Sequence, residues 1–141
     1  MKLERTDHPK YRWKVVSDYS VLLNAMIGHR GLCSIVGRDG QPYVQLFNDE
    51  LTLFEGYHFD GCTLAPDFND ALVGCCVHDA LLQILELYPD AYDEQRAHDA
   101  LHEVQSSAGF PLAWLYHWAV SSWPRQLYKL LLCKLQTRTK K

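Results

Sequence analysis

Short apolar segments, separated by turn residues, occupy the first sixty positions of this 141-residue chain. They are rich in β-branched and aromatic residues, which favour strands. Between two of them, the Asp39-Gly40 pair is typical of a tight hairpin turn, because glycine readily adopts the positive φ angle that such a turn requires. Strands are predicted at 11–19, 32–36, 43–47 and 51–54, and the segment 21–27 fits either a strand or a short helix. We therefore expect an N-terminal small antiparallel sheet with one solvent-exposed face.

Longer apolar segments with few helix breakers follow Pro66. They predict helices at 68–87, 93–105 and 111–122, and a fourth helix that begins at Pro124. In the second helix, the face that carries Ala97, Leu101 and Val104 is expected to be buried. The predicted fold class is α+β, with a C-terminal bundle of three to four helices after the sheet. The length fits a single domain of residues 1–141, with a strand-rich part (1–60), a helical core (61–123) and a C-terminal helix with a basic tail (124–141).

The charge and hydropathy of the chain limit its partners. A formal net charge of −3 does not suggest nucleic-acid binding. No apolar run reaches the roughly 20 residues that a membrane span needs, and the N-terminus lacks the apolar stretch of a signal peptide. We therefore expect an intracellular protein with no transmembrane segment. The cations after residue 128 form either a solvated end or an arm that docks on an acidic partner or a membrane surface.

The chain has five cysteines. An odd number without a secretion signal argues against a full disulfide framework. Because no two cysteines have the Cys-x-x-Cys spacing, a structural zinc site is not expected. Most of the thiols are therefore expected to be free and buried.

Three groups of polar residues are candidates for chemistry. His78-Asp79 lies in the middle of an apolar helix, where a buried ionisable pair needs a metal or hydrogen-bond partners, and where it could also simply stabilise the packing of helix on sheet. Asp60-Gly61, with Asp67 nearby, offers the oxygen ligands that calcium prefers, although Asp-Gly is most common as a plain turn. His98 and His102 share a helix face at i and i+4 and could bind a transition metal, or could lie on a solvated face.

The segment Asp60–Asp67 (DGCTLAPD) and the later Cys75-x-x-His78-Asp79 resemble the short bacterial and fungal secreted phospholipases A2. In those enzymes the turn reads Asp-Gly-Cys-Ser-x-x-Pro-Asp and the helix reads Cys-x-x-His-Asp. The resemblance covers Phe59 to about Val104 and implies a phospholipase A2-like helical core.

This resemblance also implies a role for each matching residue. His78 would be the general base that activates water, and Asp60, Gly61 and Asp79 would bind calcium, which stabilises the ester oxyanion. A disulfide would join Cys62 to Cys75, and an aspartate on the next helix would orient the histidine.

A second resemblance spans roughly Leu51 to Trp123. The chain is similar to an uncharacterised family encoded mainly by phages and prophages, whose members carry Gly-Phe-x-x-Asp-Gly-x-Ser-x-Pro, then His-Asp, Ala-Asp and a closing Trp/Tyr-Ala-Val helix. The matching segments are Gly56–Gly61, His78-Asp79, Arg96–Asp99, Phe110-Pro111 and Trp118–Val120. It implies a protein of the host cytoplasm, the phage virion or both.

The residue that would orient His78 has two candidates. Counting from the histidine favours Asp99, whereas the phase of the second helix puts Asp99 well away from the buried face and His98 at its edge. Both families usually have a tyrosine four residues after the histidine, and this chain has Leu82 there. The candidate catalytic residues are therefore His78, Asp99 and His98.

Two main functions remain open. The chain could be a calcium-dependent ester hydrolase that acts on bacterial membrane lipid. Alternatively, it could be a structural component of the virion that binds other phage proteins, through the aromatic third helix or the basic tail, and keeps the fold without catalysis. An HD-type phosphohydrolase built on His58, His78-Asp79 and Asp99 is a third possibility, which the strand-rich first half fits poorly.

Overall fold

The computed structural model describes residues 1–8, 11–62 and 68–122. The predicted fourth helix, the basic tail, Cys133 and Asp67 lie outside the described residues.

In the described part of the N-terminal half, seven short strands form two antiparallel sheets. They are β1 (Leu3–Arg5), β2 (Trp13–Val15), β3 (Tyr19–Leu22), β4 (Leu32–Val36), β5 (Pro42–Phe47), β6 (Glu50–Leu53) and β7 (His58–Phe59). The first sheet has the order β1-β2-β7, and the second has the order β3-β6-β5-β4. The prediction of one strand at 11–19 is wrong, because the chain leaves the first sheet after Val15 and enters the second at Tyr19. The open segment 21–27 contains the end of β3 and a short 3-10 helix (Asn24–Met26).

The second sheet is built on the predicted hairpin. In the turn between β4 and β5, Gly40 has a φ of +80°, and the Asp39 side chain accepts the Gln41 N–H at 3.1 Å. Alternate residues of β5 and β6 are fully buried, namely Val44, Leu46, Leu51 and Leu53. This period of two directs one face of the sheet into the core, where it packs with the helices.

Three helices follow within residues 68–122, namely α1 (Asn69–Leu87), α2 (Glu94–Ser107) and α3 (Ala113–Ser122). They lie close to the predicted limits, and they confirm the α+β class with strands first and helices after. Helix α1 contacts both β4 and β7 as well as α2, so it is buried on most of its surface. Helix α2 is amphipathic, and its buried residues include Ala97, Leu101 and Val104.

Two contacts fix α2 in position. A Cβ atom on Gly74 of α1 would lie only 2.4 Å from Cγ of Gln105, so the absence of a side chain at Gly74 allows the two helices to approach closely. At the other side, the Glu103 carboxylate accepts the main-chain N–H groups of Asn24 and Ala25, each at 2.9 Å. Helix α2 is thus held between α1 and the 3-10 helix that follows β3.

Candidate functional site

A buried pair of histidines joins the first two helices. His78, in the middle of α1, is 4% exposed, and His98, in the second turn of α2, is 8% exposed. Nε2 of His78 lies 2.9 Å from Nδ1 of His98, which is hydrogen-bond distance. One of the two nitrogens must carry a hydrogen and act as the donor, while the other is unprotonated and accepts. The hydrogen bond therefore fixes the tautomer of both rings.

Burial keeps both imidazoles neutral. Burial, and to a smaller extent the nearby His98, lowers the pKa of His78 from its usual 6.5 to about 3. Burial also lowers the pKa of His98. Near neutral pH the pair therefore carries no charge, and His78 is in the unprotonated state that a general base requires.

Asp99 lies on a different face of α2 from His98 and contacts His117 of α3. It is exposed, and its Oδ1 accepts hydrogen bonds from Nε2 of His117 at 2.9 Å and from Nε2 of Gln95 at 3.0 Å. Consecutive helical residues point about 100° apart, so α2 can direct only one of His98 and Asp99 towards α1. The structure brings His98 and not Asp99 to His78, as the helix phase indicates and the residue count does not.

The turn that carries Asp60 is fixed to the sheet and to α1. Because Trp13 pairs with Phe59, Arg12 lies beside Asp60, and its guanidinium donates to the Asp60 main-chain oxygen at 3.3 and 3.2 Å. Gly61 follows with a φ of +93°, in the left-handed region that favours glycine. A disulfide then joins Cys62 to Cys75 in α1, as the resemblance to the phospholipases implies. The turn is therefore held one helical turn away from Asp79.

Tyr57, a buried tyrosine three residues before the candidate ligand Asp60, was not singled out from the sequence. It is 4% exposed, and its hydroxyl has no hydrogen-bond partner among the described residues. Burial raises its pKa well above the usual value, and Cys76, Asp79 and Asp60 raise it further in that order. The available sequence signal was a hydroxyl at a position where the phage family has phenylalanine.

The donor set fits a hard cation in kind, though it is incomplete in number. Calcium takes about 6–8 oxygen ligands, from carboxylates, main-chain carbonyls and water. Asp60 and Asp79 would supply carboxylates and Gly61 a carbonyl, and the buried hydroxyl of Tyr57, three residues before Asp60 in the chain, lacks a partner among the described residues. Such a hydroxyl costs about 1–3 kcal/mol if nothing satisfies it, so this region favours the arrival of a polar ligand. Across the described segments, no three His, Cys, Asp or Glu side chains are grouped to hold a metal ion.

The other candidate constellations are not assembled. His102 is exposed and makes an edge contact with the His117 ring, at 5.2 Å between centroids, and this part of α2 lacks a three-residue metal group within the described residues. His58 of the phosphohydrolase hypothesis is exposed on β7, where its Nδ1 lies 2.6 Å from the Gly56 carbonyl. Since Asp99 is also exposed, the three elements of that hypothesis do not share the His78 site.

Comparisons of the chain with protein-family models, with curated proteins and with solved structures found no match. Among the helices described here, none is long and apolar enough to cross a membrane. The argument about function therefore rests on the geometry of the site and on the motifs in the sequence.

Proposed function

We propose that this chain is a phage-encoded, calcium-dependent ester hydrolase with a phospholipase A2-like site, in which His98 replaces the orienting carboxylate. The observation that carries the proposal is the buried hydrogen bond between His78 and His98, next to a turn that a disulfide holds against α1. The substrate class is bacterial membrane lipid, and the site of action is the host cell or the virion. The phage origin and the lipid substrate are inferred from the motif resemblances.

The two histidines would divide the work of proton transfer. With its proton on Nε2, His78 donates to Nδ1 of His98, and its own Nδ1 is left to accept a proton from water. His98 fixes the orientation and the tautomer of that base, which is the task of the third group in hydrolytic triads. Asp60, Gly61 and Asp79 would hold calcium, which when bound supplies positive charge for the oxyanion of the ester.

A neutral partner predicts a weaker base than a carboxylate would give. When His78 accepts a proton it becomes a buried cation, and neutral His98 stabilises that cation less than an anionic partner would. The low pKa of His78, about 3, reflects the same lack of compensation. Since base strength limits proton transfer, we expect a slow hydrolase rather than a highly active one.

The test is the release of fatty acid from vesicles of bacterial phospholipids. The protein is assayed with millimolar calcium and with a chelator, beside His78→Gln, whose amide keeps a donor near the position of Nε2. We expect calcium-dependent release by the wild type and none by the folded variant. Failure of the wild type to hydrolyse any phospholipid in the presence of calcium would overturn the proposal.

A second function, a structural component of the virion, is favoured by a different observation. Helix α3 exposes two tryptophans at i and i+4, Trp114 at 62% and Trp118 at 59%, and both Leu115 and Leu112, the residue just before the helix, are 37% exposed. Large exposed apolar side chains on one helix face are typical of sites that bind another protein or a membrane. In this function the His78–His98 pair only stabilises the contact between α1 and α2.

Mass spectrometry of purified particles separates the two functions. A structural component is present in the particle at a fixed copy number, and Trp114→Ser/Trp118→Ser lowers its incorporation while His78→Gln does not. Its absence from the particles would exclude the structural function. Incorporation combined with calcium-dependent hydrolysis would show an enzyme carried by the virion.

A further inference from the structure

The side chain of Arg12 holds the main chain of the turn that carries the candidate ligand Asp60. Its Nε and Nη2 both donate to the Asp60 main-chain oxygen, at 3.3 and 3.2 Å. The two residues are 48 positions apart in the chain, and the pairing of Trp13 with Phe59 brings them together. Because a guanidinium stays protonated and only donates, the first sheet places a permanent cation on this turn.

This contact fixes the peptide between Asp60 and Gly61. A peptide unit is planar, so two donors on its oxygen set the orientation of the whole plane. Gly61 follows with a φ of +93°, and the Cys62–Cys75 disulfide then joins the chain to α1. Arg12 therefore holds the turn on the side of the sheet, and the disulfide holds it on the side of α1. Backbone freedom that is removed before binding does not have to be lost when a ligand binds.

We propose that Arg12 is a positioning residue of the candidate cation site, which holds the Asp60–Gly61 main chain in the conformation that binds a divalent cation. The inference rests on the proposed calcium site and adds a residue that neither resemblance assigned to it. Partners that orient metal ligands typically change metal affinity by about 10–100-fold when they are mutated. Arg12 acts through the main chain of Asp60, since a guanidinium has no acceptor with which to bind a cation.

The charge of Arg12 makes the direction of its effect informative. A guanidinium beside a cation site repels the cation, so its removal would strengthen cation binding if charge alone mattered. Removal of a positioning residue has the opposite effect, because the turn must then be ordered as the cation binds. A residue that only stabilises the fold would change neither. The sign of the change in affinity therefore distinguishes the three roles.

The experiment measures calcium affinity by titration calorimetry for the wild type, Arg12→Met and Arg12→Lys. Methionine keeps an apolar stem without charge or donors, and lysine keeps the charge but not the two fixed donors. We expect Arg12→Met to weaken calcium binding about tenfold, and Arg12→Lys to lie between it and the wild type. The matched control is Arg5→Met, which removes a cation of the same sheet that lies over the Trp13 ring at 5.9 Å. It should bind calcium no more weakly than the wild type.

A second measurement follows the turn without any cation. In the presence of a chelator, amide hydrogen exchange of residues 57–62 is compared by mass spectrometry in the same four proteins. We expect faster exchange in Arg12→Met than in the wild type and Arg5→Met, because the turn opens more often once the Asp60 oxygen loses both donors.

Each outcome decides a separate claim. If the wild type binds calcium and Arg12→Met binds it equally or more tightly, the role of Arg12 is refuted and the calcium site stands. Unchanged exchange at residues 57–62, or equal weakening by Arg5→Met, also refutes the role. If Arg12→Met does not fold, Arg12→Lys decides the claim in its place, and wild-type affinity in that variant refutes the role. If the wild type does not bind millimolar calcium, the proposed function and the role of Arg12 both fail.

Discussion

The buried His78–His98 pair predicts that the protein loses stability in mild acid. In the folded protein the pKa of His78 is about 3, because burial and then His98 oppose its protonation. In the unfolded chain the same imidazole titrates near 6.5. Between these two values the unfolded state binds a proton that the folded state excludes, so stability is complete above about pH 6.5 and decreases as the pH falls.

The magnitude follows from the difference between the two pKa values. Each pH unit inside this window removes about 1.4 kcal/mol for one proton. Of the interval from pH 7 to pH 5, about 1.5 pH units lie below 6.5, where the unfolded state binds the extra proton. His78 therefore accounts for a loss of about 2 kcal/mol in the free energy of unfolding. That is a large fraction of the roughly 5–15 kcal/mol that stabilises a typical domain. His98, whose pKa is also lowered, adds to the loss in the same direction.

Urea denaturation at pH 7, 6 and 5 measures this effect. We expect His78→Gln to lose about 2 kcal/mol less than the wild type over this range, because it has no imidazole to protonate at that position. Val77→Ala, a buried neighbour that does not titrate, lowers stability at every pH and keeps the wild-type dependence on pH. Equal losses in the wild type and His78→Gln would refute the assignment of His78 as a buried neutral histidine.

Three further predictions concern α2 and its neighbours. Gly74→Ala should lower the free energy of unfolding by about 1–3 kcal/mol, because the new methyl group overlaps Gln105, and an unchanged urea midpoint would contradict this packing. Glu103→Ala should cost about 1–3 kcal/mol in the same assay by removing two hydrogen bonds to a carboxylate, and Glu103→Gln should cost less. In the vesicle assay, the variant His98→Asp should hydrolyse lipid faster than His98→Asn, whose amide has nearly the same shape as the carboxylate. The variant Asp99→Asn should match the wild type. Loss of activity in Asp99→Asn alone would restore Asp99 as the orienting residue.

The sequence predicted those parts of the fold that depend on local chemistry. The hairpin at Asp39-Gly40 and the limits of the three helices follow from turn residues, helix breakers and hydrophobic period, all of which lie within a few positions of each other. The first sheet could not be predicted in this way. Its middle strand pairs with β7, more than forty residues later in the chain, and the register that sets Trp13 opposite Phe59 depends on tertiary packing.

In the candidate site too, local sequence predicts some features, and tertiary packing determines the others. The buried position of His98 follows from the period of α2, where Ala97 and Leu101 define the buried face. Helix α1 is buried on most sides, so its period gives no preference for where His78 points. The contact between the turn that carries Asp60 and helix α1, which the Cys62–Cys75 disulfide holds, depends on tertiary packing, and no short-range pattern encodes it.

The central claim is that one cation binds between Asp60 and Asp79 beside His78. Crystals soaked in terbium, which replaces calcium and scatters anomalously, test it without knowledge of the substrate. The account predicts one strong anomalous peak about 2.3–2.6 Å from carboxylate oxygens of both aspartates, and no such peak in Asp60→Asn crystals. Crystals of the wild type that show no peak at these carboxylates, at a terbium concentration that labels other surface acids, would contradict it.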